Sequence, residues 1–231
     1  MTVAATATGG GGSRHLRRTA LDLVAALGRH DPVTGAHLRR LPLYTALLTD
    51  ELAAHPRHRV ALQPHRALLP LASTLHDVGK LHIPERILRK RGPLSAEEFV
   101  LMKRHTMHGR QALQELVRQD PDDAFLALGA DIALYHHERW DGSGYPFGLR
   151  GPHIPLVARI VALADVYDAL TSERPYKPAF DHDVARTLIR TQCGAHFDAD
   201  VVEAFLVREP EFARTSHQPV DTGAPLPLPA V

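Results

Sequence analysis

Five histidines and two aspartates fall along this chain in an order that reads as one metal site: His37, then His76-Asp77, His105, His136-His137 and Asp165. The groups are far apart in sequence, so only a fold can bring them together. Imidazole nitrogens and carboxylate oxygens suit iron, manganese or zinc, and the set is too nitrogen-rich for calcium or magnesium. Seven ligands are too many for one tetrahedral ion. They suit two ions bridged by a carboxylate, with positions left open for water and substrate.

The residues around these ligands carry a resemblance. LHDVGKLHIPERIL (75–88), LSAEEFVLMKRHTMHG (94–109), HHERWDGSGYPFGLRGPHIPLVARI (136–160) and ADVYDALTSERPYK (164–177) closely resemble the HD-GYP family, a branch of the HD phosphohydrolases. The likeness runs from about Leu21 to about Leu206 and consists of several long strings in the same order. It implies an all-α HD-type helical bundle with a glycine-rich GYP loop beside a metal centre. It also implies a bacterial signalling enzyme, a phosphodiesterase that hydrolyses cyclic di-GMP to pGpG and onward to GMP, with two divalent ions, iron or manganese, as cofactor.

Carried over residue by residue, the resemblance makes His37, His76, Asp77, His105, His136, His137 and Asp165 the metal ligands, with Asp77 as the bridge. Lys80 would point into the site and stabilise phosphate charge, so Lys80 and Asp77 are the catalytic candidates. Arg174 and Lys177 in SERPYK would grip the ligand's phosphates, Arg as a bidentate fork and Lys as a point charge. Tyr145 of the GYP string would line the guanine pocket or a partner surface. Members with three metals carry a glutamate four residues before the first histidine. That position here is Val33, so a third ion loses a principal ligand. Two readings stay open beside the enzyme: a non-catalytic cyclic di-GMP sensor or GYP-loop docking module for diguanylate cyclases (GGDEF proteins), and a phosphohydrolase for another cyclic dinucleotide. A homodimer is compatible with the family.

The elements that must position these residues read as helices and loops, without a convincing period-2 strand pattern. Helices are expected at about 14–30, 34–55, 64–78, 96–104, 106–119, 121–138, 155–171, 181–193 and 198–207. Ser95 with Glu98 spells a capping box, and Asp181 and Asp198 are expected N-caps. Pro70 should kink the third helix or mark a later start. Within that helix His76 and Asp77 would point about 100° apart, and Lys80 would share their face. Gly79 should permit close packing or end the helix. Trp140 to Pro155, with four glycines and three prolines, must be a loop at the site. Residues 1–13 read as a disordered tail, 14–210 as the HD-GYP domain and 211–231 as a Pro-rich disordered tail.

Composition sets outer limits. A chain of 231 residues fits one domain with a real core, and 44% hydrophobic with 23% charged residues is ordinary for a globular protein. A formal net charge of +1 excludes a basic binder of nucleic-acid polymer by bulk charge, so an anionic ligand needs a local cluster. No run approaches ~18 uninterrupted apolar residues, so no membrane span is expected. The N-terminus lacks a secretory pattern, and a cytoplasmic location is expected. The single cysteine, Cys193, reads as a small buried hydrophobe.

Overall fold

A computed structural model describes residues 9–30, 32–173 and 178–218, and among them the architecture is helical, without a named strand. The α-helices run α1 (Gly9–His30), α2 (Pro32–Ala54), α3 (Pro56–Leu62), α4 (Leu69–Ala72), α5 (Glu85–Leu88), α6 (Ala96–Lys103), α7 (His105–Gln119), α8 (Ala124–Tyr135), α9 (Leu156–Thr171), α10 (His182–Thr191), α11 (Ala199–Val207) and α12 (Glu209–His217). Short 3-10 turns cover Ser73–Leu75, Val78–His82 and Gly151–His153.

The centre is built by α8 and α9. Each is apolar nearly all round, which is the pattern of a helix enclosed on every side. In α8, Phe125, Leu126, Leu128, Ala130, Ile132, Ala133 and Leu134 are all buried, and α9 buries Val157 to Ala164 with one exception, Arg159. The outer helix α2 is amphipathic instead, with Leu38, Leu41, Tyr44, Leu48 and Leu52 buried at three- and four-residue intervals. It packs on α9, while α7 packs on α8. The elements that carry the expected ligands are therefore fixed by one continuous core.

Local signals act where expected. Ser95 and Glu98 form the reciprocal capping box of α6, and the Asp198 side chain accepts from the Asp200 amide at the start of α11. Asp181 sits at the N-cap of α10 without a side-chain capping bond.

Several expectations need correction. The third helix does not run over 64–78. Pro70 stands in the first turn of α4, where its missing N–H costs nothing, and α4 ends at Ala72. His76 and Asp77 then lie between two 3-10 turns, and Asp77 leaves helical geometry at φ −106°, ψ 5°. Adjacent positions on a regular helix therefore do not describe this pair, nor does a shared helical face describe Lys80.

Helix also extends into both expected tails, 1–13 and 211–231. α1 starts at Gly9, and the Ser13 hydroxyl lies 2.7 Å from Asp120 and 2.8 Å from Asp123. At the other end Phe212 is fully buried, stacked on Tyr44 at 4.8 Å and packed edge-on to Tyr167 and Phe205. Phe212, the one aromatic residue of this polar segment, is the largest side chain that α12 buries. Cys193 is exposed, because α10 stops at Thr191 and the turn through Gly194 (φ 76°) carries it outward. Residues 1–8 and 219–231 lie outside the described residues.

Candidate metal centre

The seven expected ligands arrive on five separate elements. His37 comes from α2, His76 and Asp77 from the irregular segment after α4, His105 from the first position of α7, His136 and His137 from the end of α8, and Asp165 from α9. The fold gathers all seven into two neighbouring groups: Asp77, His105, His136 and His137, and His37, His76 and Asp165. Within each group one potential ligand atom per residue lies within 4.8 Å of the others.

Asp77 spans the two groups. Its Oδ2 lies 3.1 Å from His76 Nε2, and its Oδ1 lies 3.4 Å from His105 Nε2 and 3.9 Å from His136 Nε2. Oδ1 is buried and has no hydrogen-bond partner. An unsatisfied carboxylate oxygen in a dry interior is costly unless a cation meets it.

The imidazoles are oriented by their far nitrogens. Nδ1 of His76 lies 2.9 Å from the Ser73 carbonyl, Nδ1 of His105 2.8 Å from that of Met102, and Nδ1 of His136 3.0 Å from that of Ile132. A carbonyl only accepts, so each Nδ1 carries the proton and each Nε2 offers a lone pair. Those lone pairs converge: His37 and His76 present Nε2 atoms 3.4 Å apart, as do His105 and His136. Neutral nitrogens pointed at one another have no mutual hydrogen bond to gain. They are what a metal ligand set looks like, and the residues fit a divalent metal. His136 also caps the end of α8 through the same Nδ1, so the contact that caps the helix is the one that turns Nε2 into the cluster.

Electrostatics agree. Burial, with the neighbouring histidines adding to it, holds His136 well below the usual imidazole range and puts His137 at about 3; burial likewise lowers His105. Burial works against ionisation of Asp77, yet Lys80 and His76 keep its carboxyl well below the normal range. His76 is buried too, but Asp77 and Asp165 raise it. Lys80 Nζ lies 2.5 Å from Asp77 Oδ2, beside both groups.

Close packing sets the spacing. A Cβ on Gly79 would lie 1.9 Å from the His105 carbonyl oxygen and 2.4 Å from the Gly109 amide nitrogen. Only glycine lets the Asp77 segment touch the start of α7, so the packing role expected of Gly79 is the one observed. Among the other expected site residues, Tyr145 stacks on His137 with ring centroids 4.7 Å apart, and its amide donates to the His137 carbonyl. Arg174 and Lys177 lie outside the described residues, as does the side chain of Val33.

Two residues with positioning roles, Asp168 and Glu138, were missed from sequence. Asp168 is buried and accepts from His37 Nδ1 at 2.8 Å and from Arg40 Nε at 2.6 Å. Its carboxyl is held low against burial by those two partners. The signal was present in the spacing: His37 and Arg40 on α2, and Asp165 and Asp168 on α9, are both i,i+3 pairs. Glu138, also buried, accepts from the amides of Phe147 at 2.8 Å and Leu149 at 3.0 Å, and so clamps the Trp140–Pro155 loop beside the ligands. No periodicity marks Glu138, since its partners are backbone groups of a loop.

The sequence matches the HD domain family over residues 29–201. It is 49% identical over 193 residues to a cyclic di-GMP phosphodiesterase of Vibrio cholerae, covering 83% of this chain and 39% of that protein. A cyclic di-GMP phosphodiesterase of Thermotoga maritima is 48% identical over 181 residues, 78% of this chain and 46% of the relative. A 3'3'-cGAMP-specific phosphodiesterase of V. cholerae is 38% identical over 202 residues, 85% of this chain and 36% of the relative. The chain thus spans less than half the length of these curated relatives. Among solved structures, the HDG"Y"P protein Bd1817 of Bdellovibrio bacteriovorus shares the fold, with a TM-score of 0.52 at 18% identity over 86% of this chain and 73% of that one.

Proposed function

Because the chain belongs to the HD domain family, in its HD-GYP branch, we propose that it is a metal-dependent phosphodiesterase that hydrolyses cyclic di-GMP to pGpG and then GMP. One observation carries the reading: Asp77 reaches two ligand groups with its two oxygens, and the buried Oδ1 has no protein partner. A binding module has no need of a bridging carboxylate held among converging Nε2 lone pairs. The relatives named for cyclic di-GMP include the 49% and 48% matches, against at most 38% for those named as cGAMP-specific, which favours cyclic di-GMP as substrate.

Two divalent ions, iron or manganese by ligand chemistry, would polarise a phosphoryl oxygen and generate a water-derived nucleophile near neutral pH. The chain's own residues do the rest. Asp77 and the histidines hold fixed positions because Asp168 and the backbone carbonyls orient them. The Lys80 ammonium stands beside Asp77, where charge on a phosphoryl oxygen would develop. The loop clamped by Glu138 carries Tyr145 over His137 and shields that side of the cluster from water. Arg174 and Lys177 are proposed as the phosphate grip. The proposed setting is the cytoplasm, and no helix among the described residues is long and apolar enough to cross a membrane.

The test is anaerobic reconstitution with iron or manganese, elemental analysis, and chromatography of digests of cyclic di-GMP and of 3'3'-cGAMP. About two ions per chain and release of pGpG are expected. Asp77→Ala should lose both ions and all hydrolysis together while keeping its helical circular dichroism. A wild type inert on both dinucleotides with every metal would overturn the proposal.

A further inference from the structure

The helix α6 is apolar in composition yet none of its residues is buried, and Phe99 and Val100 on it are 47% and 51% exposed. Isolated exposed apolar residues are ordinary; what matters for Phe99 is where it stands. Its ring meets Tyr145 edge to face at 6.3 Å, and Tyr145 in turn stacks on the ligand candidate His137 at 4.7 Å. Lys103, one turn after Phe99, holds its Nζ 5.3 Å from the Phe99 centroid and 5.7 Å from that of Tyr145. A half-exposed aromatic surface and a cation therefore stand two ring contacts from the metal ligands. A nucleotide with its phosphate at those ligands carries its base one sugar further out.

We propose that Phe99 and Lys103 form the subsite for one base of the cyclic dinucleotide, Phe99 as the stacking surface and Lys103 as the residue that selects guanine. This rests on the phosphodiesterase reading and extends it to base choice. An aromatic ring accepts any base, because every base has a π-face. Selection needs the cation. Guanine offers two acceptors, O6 and N7, on one edge, and an ammonium can donate to both. Adenine replaces O6 with an amino donor, which a cation repels. Lys103 already lies in the angle between the Phe99 and Tyr145 rings, where such an edge would enter.

The experiment measures equilibrium binding of slowly hydrolysed phosphorothioate analogues of cyclic di-GMP and cyclic di-AMP to metal-loaded protein, with initial rates on the natural dinucleotides in parallel. Phe99→Ala should weaken both analogues about tenfold, or 1.4 kcal/mol, within the range of a base–aromatic stack, and Phe99→Tyr should restore them. The rate loss should fall on KM more than on kcat. Lys103→Met should weaken the guanine analogue fivefold or more and leave the adenine analogue unaffected, collapsing the preference. Metal content and melting temperature should match wild type in all three variants. A wild type that binds tightly, with variants that bind equally well, overturns this subsite and leaves the phosphodiesterase reading standing. Equal losses for both bases in Lys103→Met overturn its role as base selector. A wild type that binds neither analogue overturns both readings.

Discussion

Nδ1 of His37 lies 2.8 Å from Oδ2 of Asp168, and that contact turns His37 Nε2 toward Asp165 and His76. Two helices meet through it. α2 supplies His37 and Arg40, α9 supplies Asp165 and Asp168, and one aspartate of the pair faces the cluster while the other orients the imidazole. Asp168→Ala should therefore lower metal affinity by about 10- to 100-fold, the usual effect of removing a partner that orients a ligating histidine. Competition titration with a chelator measures this. Unchanged affinity would confine Asp168 to holding Arg40.

Gly79 limits how closely the Asp77 segment can approach α7. Gly79→Ala places a Cβ against backbone atoms, which cannot rotate away. The strain should cost about 2–3 kcal/mol, in the upper range for overpacking, and lower the melting temperature by roughly 5–10 °C for a chain of this size. Metal affinity should fall in the same variant, because Asp77 and His105 move apart. Thermal denaturation of metal-free protein separates the two effects, and a melting temperature equal to wild type would show that the contact is not tight.

Lys80 contacts Asp77 Oδ2 but contributes no ligand to either group. Lys80→Ala should keep both ions and lose ~10²-fold or more in kcat, the typical effect of removing one positioned charge near a reacting oxyanion. Affinity for substrate should change less, since the charge matters most as negative charge builds. Single-turnover cleavage at matched metal content decides it: equal rates would remove Lys80 from catalysis.

The metal-free protein should lose stability in acid. Burial lowers His136, His137 and His105 in the fold, so the unfolded chain binds more protons than the native one below pH ~6.5, and stability falls with pH from there toward about 3. His76 is shifted upward and opposes this, favouring the fold below pH ~6.5 and losing that contribution as pH rises through its native value. Three lowered histidines outweigh one raised. Each fully uncompensated site contributes up to about 1.4 kcal/mol per pH unit. Urea midpoints for chelator-treated protein at pH 7.5 and 5 test the balance; a midpoint that rises toward pH 5 would show that these histidines are charged in the fold.

The expected ligands were legible in the amino-acid sequence because they stand inside long strings that resemble the HD-GYP family; an isolated histidine–aspartate or histidine pair has commoner structural uses. An aspartate in the apolar run ALADVYDAL has few. The helices α1, α2 and α6 to α11 were legible because apolar periodicity and caps such as Ser95–Glu98 act over one or two turns. What only the tertiary structure decided is how the ligands face each other. Asp77 reaches both groups because the segment after α4 abandons the helix and Gly79 lets it touch α7, a contact between residues 26 and 30 positions apart. Asp168, Glu138 and the Phe99–Lys103 rim acquire their roles from partners on other elements, and Phe212 of the expected tail is buried against Tyr44, Tyr167 and Phe205. The physical reason is common to all of them. Local pattern records what a residue prefers for its own backbone and face, whereas the orientation of an imidazole or the burial of an aromatic ring depends on atoms that the chain brings near only after it has folded.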